Sequence, residues 1–207
     1  MHSKFFKESL MLKKYLSRIS ILSLVLFAAC ATKPESDVDT PEYHYKAGMR
    51  AVENMDYQQA IKSFQRSVDL DSKFALGFGG LGLANAKLGN NKEAKKFAST
   101  CASKGSKDSD ALALSARIWI DMRESEKKWF NRAEGHLKKS LKRDKNHEGS
   151  QYWYGVVYLY SYKFNEAEDY FREVVNKRGD YAGMADSKRK LSQKIVRAIP
   201  GTPVGKK

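Results

Sequence analysis

The chain has 207 residues, carries 38 Lys and Arg against 24 Asp and Glu for a formal charge of +14, and contains two cysteines. One of these, Cys30, closes an N-terminal export-type segment, so no pair remains for an internal disulfide and stability has to come from packing. In an exported protein the basic excess points to acidic proteins, phosphorylated glycolipid or anionic lipid, and away from nucleic acid.

Residues 1–29 place Lys4, Lys7, Lys13, Lys14 and Arg18 ahead of the apolar run Ile19 to Ala29. That run has 11 residues, whereas a spanning helix needs about 20, so it reads as a cleaved signal peptide. Met11 begins a more compact version of the same signal. The sequence Phe27-Ala28-Ala29-Cys30 resembles the lipobox of bacterial lipoproteins, with Phe27 where Leu is usual. The resemblance implies that Cys30 becomes the acylated N-terminus. At about 0.8 kcal/mol per buried methylene, several acyl chains hold a protein on a bilayer. Ala31 in the next position is similar to outer-membrane lipoproteins of Gram-negative bacteria, which implies a site on that membrane facing the periplasm. Beyond residue 29 the chain keeps 33 basic and 23 acidic side chains. Residues 30–40, with Pro34, Glu35, Asp37 and Asp39, read as a flexible hydrated tether.

From Pro41 onward apolar residues recur at intervals of three and four, the period of an amphipathic helix. Ala60 and Ala94 lie 34 residues apart, as do Ala133 and Ala167. Phe64, Leu137 and Phe171 follow these alanines by four places, and Gly48, Gly82 and Gly155 precede them by twelve. This spacing resembles the tetratricopeptide repeat, a 34-residue helix-turn-helix. The resemblance implies an all-α fold: a TPR-like α-solenoid of about four repeats, near 41–74, 75–108, 109–147 and 148–181. The third repeat carries about five extra residues around Glu124 to Lys128, which predict a longer helix or a protruding loop. Glycines on one helix and alanines on its partner allow close approach, and Phe64 and Phe171 fill the space toward the next repeat. Residues 182–198 predict a capping helix with Met184, Leu191, Ile195 and Val196 on the covered side and Lys188, Arg189, Lys190, Lys194 and Arg197 outward. Residues 199–207, with Pro200 and Pro203, do not continue that helix and read as a disordered tail or the stub of a linker.

Gly77-Phe78-Gly79-Gly80-Leu81-Gly82 matches G-x-G-x-x-G, yet it follows an amphipathic helix and lacks the downstream acid of a dinucleotide site. We read it as a helix-packing seam. His44, His136 and His147 have no metal-ligand spacing, and His44 stands where the repeat family often has Trp, which implies packing. Cys101 occupies a small-residue slot and reads as buried. Glu124 with Glu126, and Glu166 with Glu168 and Asp169, lie on solvent-facing helical segments with nothing nearby to tune them. No catalytic set, metal site or cofactor loop is expected, and an enzyme is disfavoured. Two basic clusters, Lys92, Lys95, Lys96, Lys104 and Lys107, then Lys138, Lys139, Lys142, Arg143 and Lys145, are solvated faces or meet an anionic partner.

In the repeat family ligands lie in the groove of the first helices. That implies a partner groove at Tyr45, Met49, Glu53, Leu83, Lys87, Tyr152, Val156, Leu159 and Tyr160, with Leu83 and Val156 the most apt to fill the interior instead. The expected function is a lipid-anchored protein-interaction scaffold or assembly factor for an envelope complex. It resembles the pilotins of type IV pilus and secretin systems and, less closely, the lipoprotein subunit of the outer-membrane β-barrel assembly machinery. The alternative is recognition of an anionic envelope polymer or lipid surface by the basic helix faces.

Overall fold

The computed structural model describes residues 39–198, which form nine α-helices and no strand. They are α1 (Pro41–Glu53), α2 (Tyr57–Leu70), α3 (Ala75–Lys87), α4 (Asn91–Lys104), α5 (Ser109–Asp121), α6 (Trp129–Arg143), α7 (Glu148–Tyr160), α8 (Phe164–Lys177) and α9 (Ala182–Ala198). The proposed signal, Cys30, most of the tether and residues 199–207 lie outside the described residues. Four helices start on a side-chain cap that satisfies an orphan amide. Thr40 accepts from the Tyr43 amide, Asp56 from Gln59, Asp108 from Asp110 and Ala111, and His147 Nδ1 from Ser150. Pro41 sits in the first turn of α1, where its missing N–H is no loss.

The helices pack as successive pairs, α1 on α2, α3 on α4, α5 on α6 and α7 on α8, with α1, α3, α5 and α7 also touching in order. The contact between pairs is a ring against missing side chains. Phe64 of α2 is fully buried between Gly48 of α1 and Gly80 of α3. A β-carbon at Gly48 would stand 2.5 Å from the ring, and one at Gly80 would collide with it outright. Phe171 repeats the arrangement, 2.6 Å from where a β-carbon on Gly155 would be. In the second pair the ring's slot holds Ala98, and the space is taken by Ile118 from α5, 2.8 Å from a β-carbon at Gly82. Gly77, Gly79, Gly80 and Gly82 are all buried inside α3, so the glycine run lies in a packing seam. At the next small slot, Ser67 donates to the Pro41 carbonyl (2.8 Å), Cys101 to Ala111 (3.3 Å) and Ser140 to Ser109 (3.2 Å). Each satisfies a buried polar atom while keeping the helices close. Burial pushes the Cys101 thiol up to about 12, which makes it an inert packing group.

The links inside three pairs span 54–56, 88–90 and 161–163, but the third spans 122–128. The longer link does not protrude freely. Met122 is buried, Lys95 of α4 pairs with Glu126 (2.9 Å), and Asn91 donates to Ser125 (2.8 Å). All three short links contain a residue in the left-handed region. Met55 (φ 61°), Gly89 (φ 77°) and Tyr162 (φ 60°) occupy the same place in their repeats. Glycine suits it; Met and Tyr do so at a cost of about 1–2 kcal/mol.

Helix α9 packs against α8, and of the stripe expected from the sequence Ile195 packs on the core while Met184 and Leu191 do not. Its buried residues are Ala185 and Ser192, while Met184 and Leu191 are 49% and 43% exposed. Close approach to α8 selects small side chains at the seam and turns the large ones out.

Three outcomes follow for thermal unfolding monitored by circular dichroism. Gly135 in α6 has open space where a β-carbon would go, so Gly135→Ala should stabilise by about 1 kcal/mol through helix propensity alone. Gly80→Ala has the same propensity gain but meets the Phe64 ring, and should destabilise by about 1–3 kcal/mol; a raised midpoint would reject the wedge. Tyr162→Gly relieves the left-handed backbone and should leave the midpoint unchanged or raise it. A fall beyond about 4 °C, or roughly 1 kcal/mol, would show that the tyrosine is held there for stability.

Candidate functional site

The tyrosine strained by its turn, the exposed stripe of α9 and the longer third link meet at one place. There the described chain has an open cleft of about 950 Å³. Tyr160 ends α7, Tyr162 sits in the following turn, Phe164 opens α8, and Trp129 opens α6 from the far side of the long link. Leu191 and Ile195 of α9 form the opposite wall, with Lys188 beside them. Met184, Lys188, Leu191 and Ile195 follow one another at intervals of four, three and four, one face of a helix.

The cleft is an apolar trough with a cationic rim. Tyr162 is 82% exposed and makes an edge contact with Phe164 at 6.2 Å between ring centroids. The Arg123 guanidinium lies 4.1 Å from the centre of the Tyr160 ring, close enough for a cation–π contact, and its Nε is 3.1 Å from Glu124. Lys188 makes no ion pair among the described residues. Arg123 and Lys188 against Glu124 leave one net positive charge at the rim. Aromatic rings with a polar edge, beside aliphatic side chains, bind another chain's apolar side chains at low entropic cost.

Only two of the groove residues expected from the sequence reach this cleft, Leu159 and Tyr160. Leu83 and Val156 are buried, and so is Tyr152, which packs on Tyr181, Trp153 and Phe171. Leu83 and Val156 fill the interior, the alternative expected for them, and for Tyr152 the groove assignment is corrected: the superhelix is tight enough that its inner face is filled by its own side chains. Tyr45 is half-buried against Phe64 and Phe74, and burial raises its hydroxyl far above the usual tyrosine range. Met49 packs against the core at its edge, and Glu53 is exposed. Lys87 is engaged by Asp121 of α5 at 3.0 Å. Glu53, Lys87, Asp121 and Tyr160 are the last residues of α1, α3, α5 and α7, and of these four Tyr160 lines the cleft.

Of the histidines among the described residues, His44 and His147 have local partners. His44 turns from its packing slot to Asp39 (2.7 Å), which also pairs with Arg66, and those two hydrogen bonds hold the Asp39 carboxyl below the ordinary range. His147 caps α7 and reaches Asp110 at 3.1 Å. Burial, with Lys139 and Arg132 nearby, pushes His136 down to about 4. Among the described residues no three His, Cys, Asp or Glu side chains are grouped for a metal ion.

The tyrosine turn and the 184–195 stripe are the features that sequence reasoning misses as a site. The four-three-four spacing is visible in the sequence, but there it points to the covered face. The small pair Ala185 and Ser192, seven residues apart, is the better sign of the seam.

No family model matches the chain, and no curated protein does. Among solved structures it is similar to TTC0263, a thermophilic TPR protein of Thermus thermophilus, at a TM-score of 0.63 and 15% identity over 76% of this chain and 84% of that one. It is also similar to MamA (TM-score 0.45, 19% identity, 77% and 84% covered) and to YrrB, a TPR protein with an unusual peptide-binding site (TM-score 0.46, 14% identity, 77% and 79% covered). The chain therefore has the tetratricopeptide-repeat fold, an α-solenoid of about four helix pairs with a further helix at the C-terminal end.

Proposed function

We propose that this chain is a lipid-anchored protein-interaction scaffold that grips a client segment in the cleft between the α7–α8 turn and α9. The observation that carries the reading is Tyr162. A large aromatic side chain is kept almost wholly in solvent on a backbone conformation that disfavours it, beside an exposed aliphatic stripe. Strain and apolar exposure at one point cost stability and are compensated by binding. The trough suits a helix or extended segment bearing two or three large apolar side chains, and its rim suits an acidic residue on that segment. Lipidation at Cys30, read from the lipobox-like FAAC, would hold the scaffold on the outer membrane facing the periplasm. In that setting the client belongs to an envelope complex of the secretion, pilus or outer-membrane assembly type.

Photo-crosslinking from inside the cleft tests the client reading. A benzoylphenylalanine in place of Tyr162, in the full chain in its own cells, should give a discrete protein adduct, and Leu191→Asp should abolish it. The same probe at Tyr43, exposed on α1, should not give that adduct. No adduct from 162, or equal adducts from both positions, would reject the cleft. The anchor is tested separately: a fatty-acid probe should label the chain and fail to label Cys30→Ser, and equal labelling of the two would remove the membrane from the proposal.

A further inference from the structure

A second concavity, of about 670 Å³, lies away from the apolar cleft, between the α4–α5 turn and the last turns of α6. Lys107 lines it from the turn, and Lys139, Lys142 and Arg143 line it from α6, together with Ser106 and Ser109. These cations come from both basic clusters of the sequence, brought together by the fold.

Their charge is gathered in one concavity. Lys95 pairs with Glu126, Lys96 with Glu93 and Lys138 with Glu134, yet none of the four cleft cations has an ion pair among the described residues. The nearby carboxylates accept from backbone amides and form no ion pair with these cations: Asp144 accepts from the Asn146 amide (2.9 Å), and Asp108 caps α5. Lys142 and Arg143 suit the negative end of the α6 dipole, which accounts for their place on that helix. It does not account for Lys107 and Lys139 converging on the same space. Four cations facing one carboxylate repel one another and lower their energy by sharing a multiply charged anion.

We propose that this cleft binds a diphosphate group. Three ammonium groups, a guanidinium fork and two hydroxyls offer more donors than one carboxylate can accept, and they match the several oxygens of linked phosphates. The site is concave and formed by two segments, which suits a discrete head group better than a flat charged surface. The diphosphate can be soluble or carried on a lipid. The inference is independent of the client cleft, since the two share no residue.

The test is calorimetric titration of the full chain in nonionic detergent with inorganic pyrophosphate at low salt, with citrate as an anion of similar charge built from carboxylates. Saturable pyrophosphate binding is expected, at least tenfold tighter than citrate. Lys139→Gln with Arg143→Gln should weaken it at least tenfold with an unchanged melting temperature, because both side chains are exposed. Lys92→Gln with Lys96→Gln should leave it unchanged. Farnesyl diphosphate in the same micelles distinguishes the sources: tighter binding than pyrophosphate assigns a lipid-borne ligand, and equal binding a soluble one. No pyrophosphate binding at millimolar concentration, equal affinity for citrate, or equal loss in the two double variants would overturn the proposal.

Discussion

A ring seated between two helices that both lack a side chain at the point of contact is the interaction on which this fold depends. Phe64 occupies that position between Gly48 and Gly80, Phe171 opposite Gly155, and Ile118 serves the pair whose own slot is only Ala98. Each wedge sets the distance and angle between successive pairs, so a small error at one would propagate along the solenoid. Losing a buried Phe side chain costs about 3–5 kcal/mol. A domain of this size has a total of only about 5–15 kcal/mol. With no disulfide to limit the unfolded chain, the array has little else in reserve.

The tightness of this packing also leaves the inner face closed to a partner. Tyr152, Leu83 and Val156 fill the inner face that an open superhelix would present to a ligand. At the C-terminal end the same demand for close approach places Ala185 and Ser192 against α8 and leaves Met184 and Leu191 in solvent. A terminal helix that only sealed the array would show a polar outer face. Here the outer face also carries the apolar Met184 and Leu191, and Leu191 shares a cleft with Tyr162, whose turn holds it in a costly conformation. The binding surface we propose lies at the end of the solenoid because the interior has no room for it.

Charge is divided in a comparable way. Some cations act as internal ties, with Lys87 joining α5 to α3 through Asp121 and Lys95 fastening the long third link through Glu126. Those partly exposed pairs contribute modestly to stability and mainly fix position. The cations around Ser106 and Ser109 have no such task, and their mutual repulsion is a standing bias toward an anion.

The amino-acid sequence by itself determined the helical period, the 34-residue repeat and the small-against-large slots, because these depend on neighbours within one or two helical turns or at a constant repeat offset. It also showed the five-residue excess of the third repeat, though not that Lys95 and Asn91 hold it down. Tertiary structure alone decided which of two stripes on α9 faces the array, since both have helical spacing and only the gap to α8 discriminates between Ala185 and Leu191. It alone decided that Tyr162 takes a left-handed turn position and that Lys107 meets Lys139, Lys142 and Arg143. Such facts come from the curvature of the stacked pairs, a property of many contacts summed along the chain that no local pattern of residues carries.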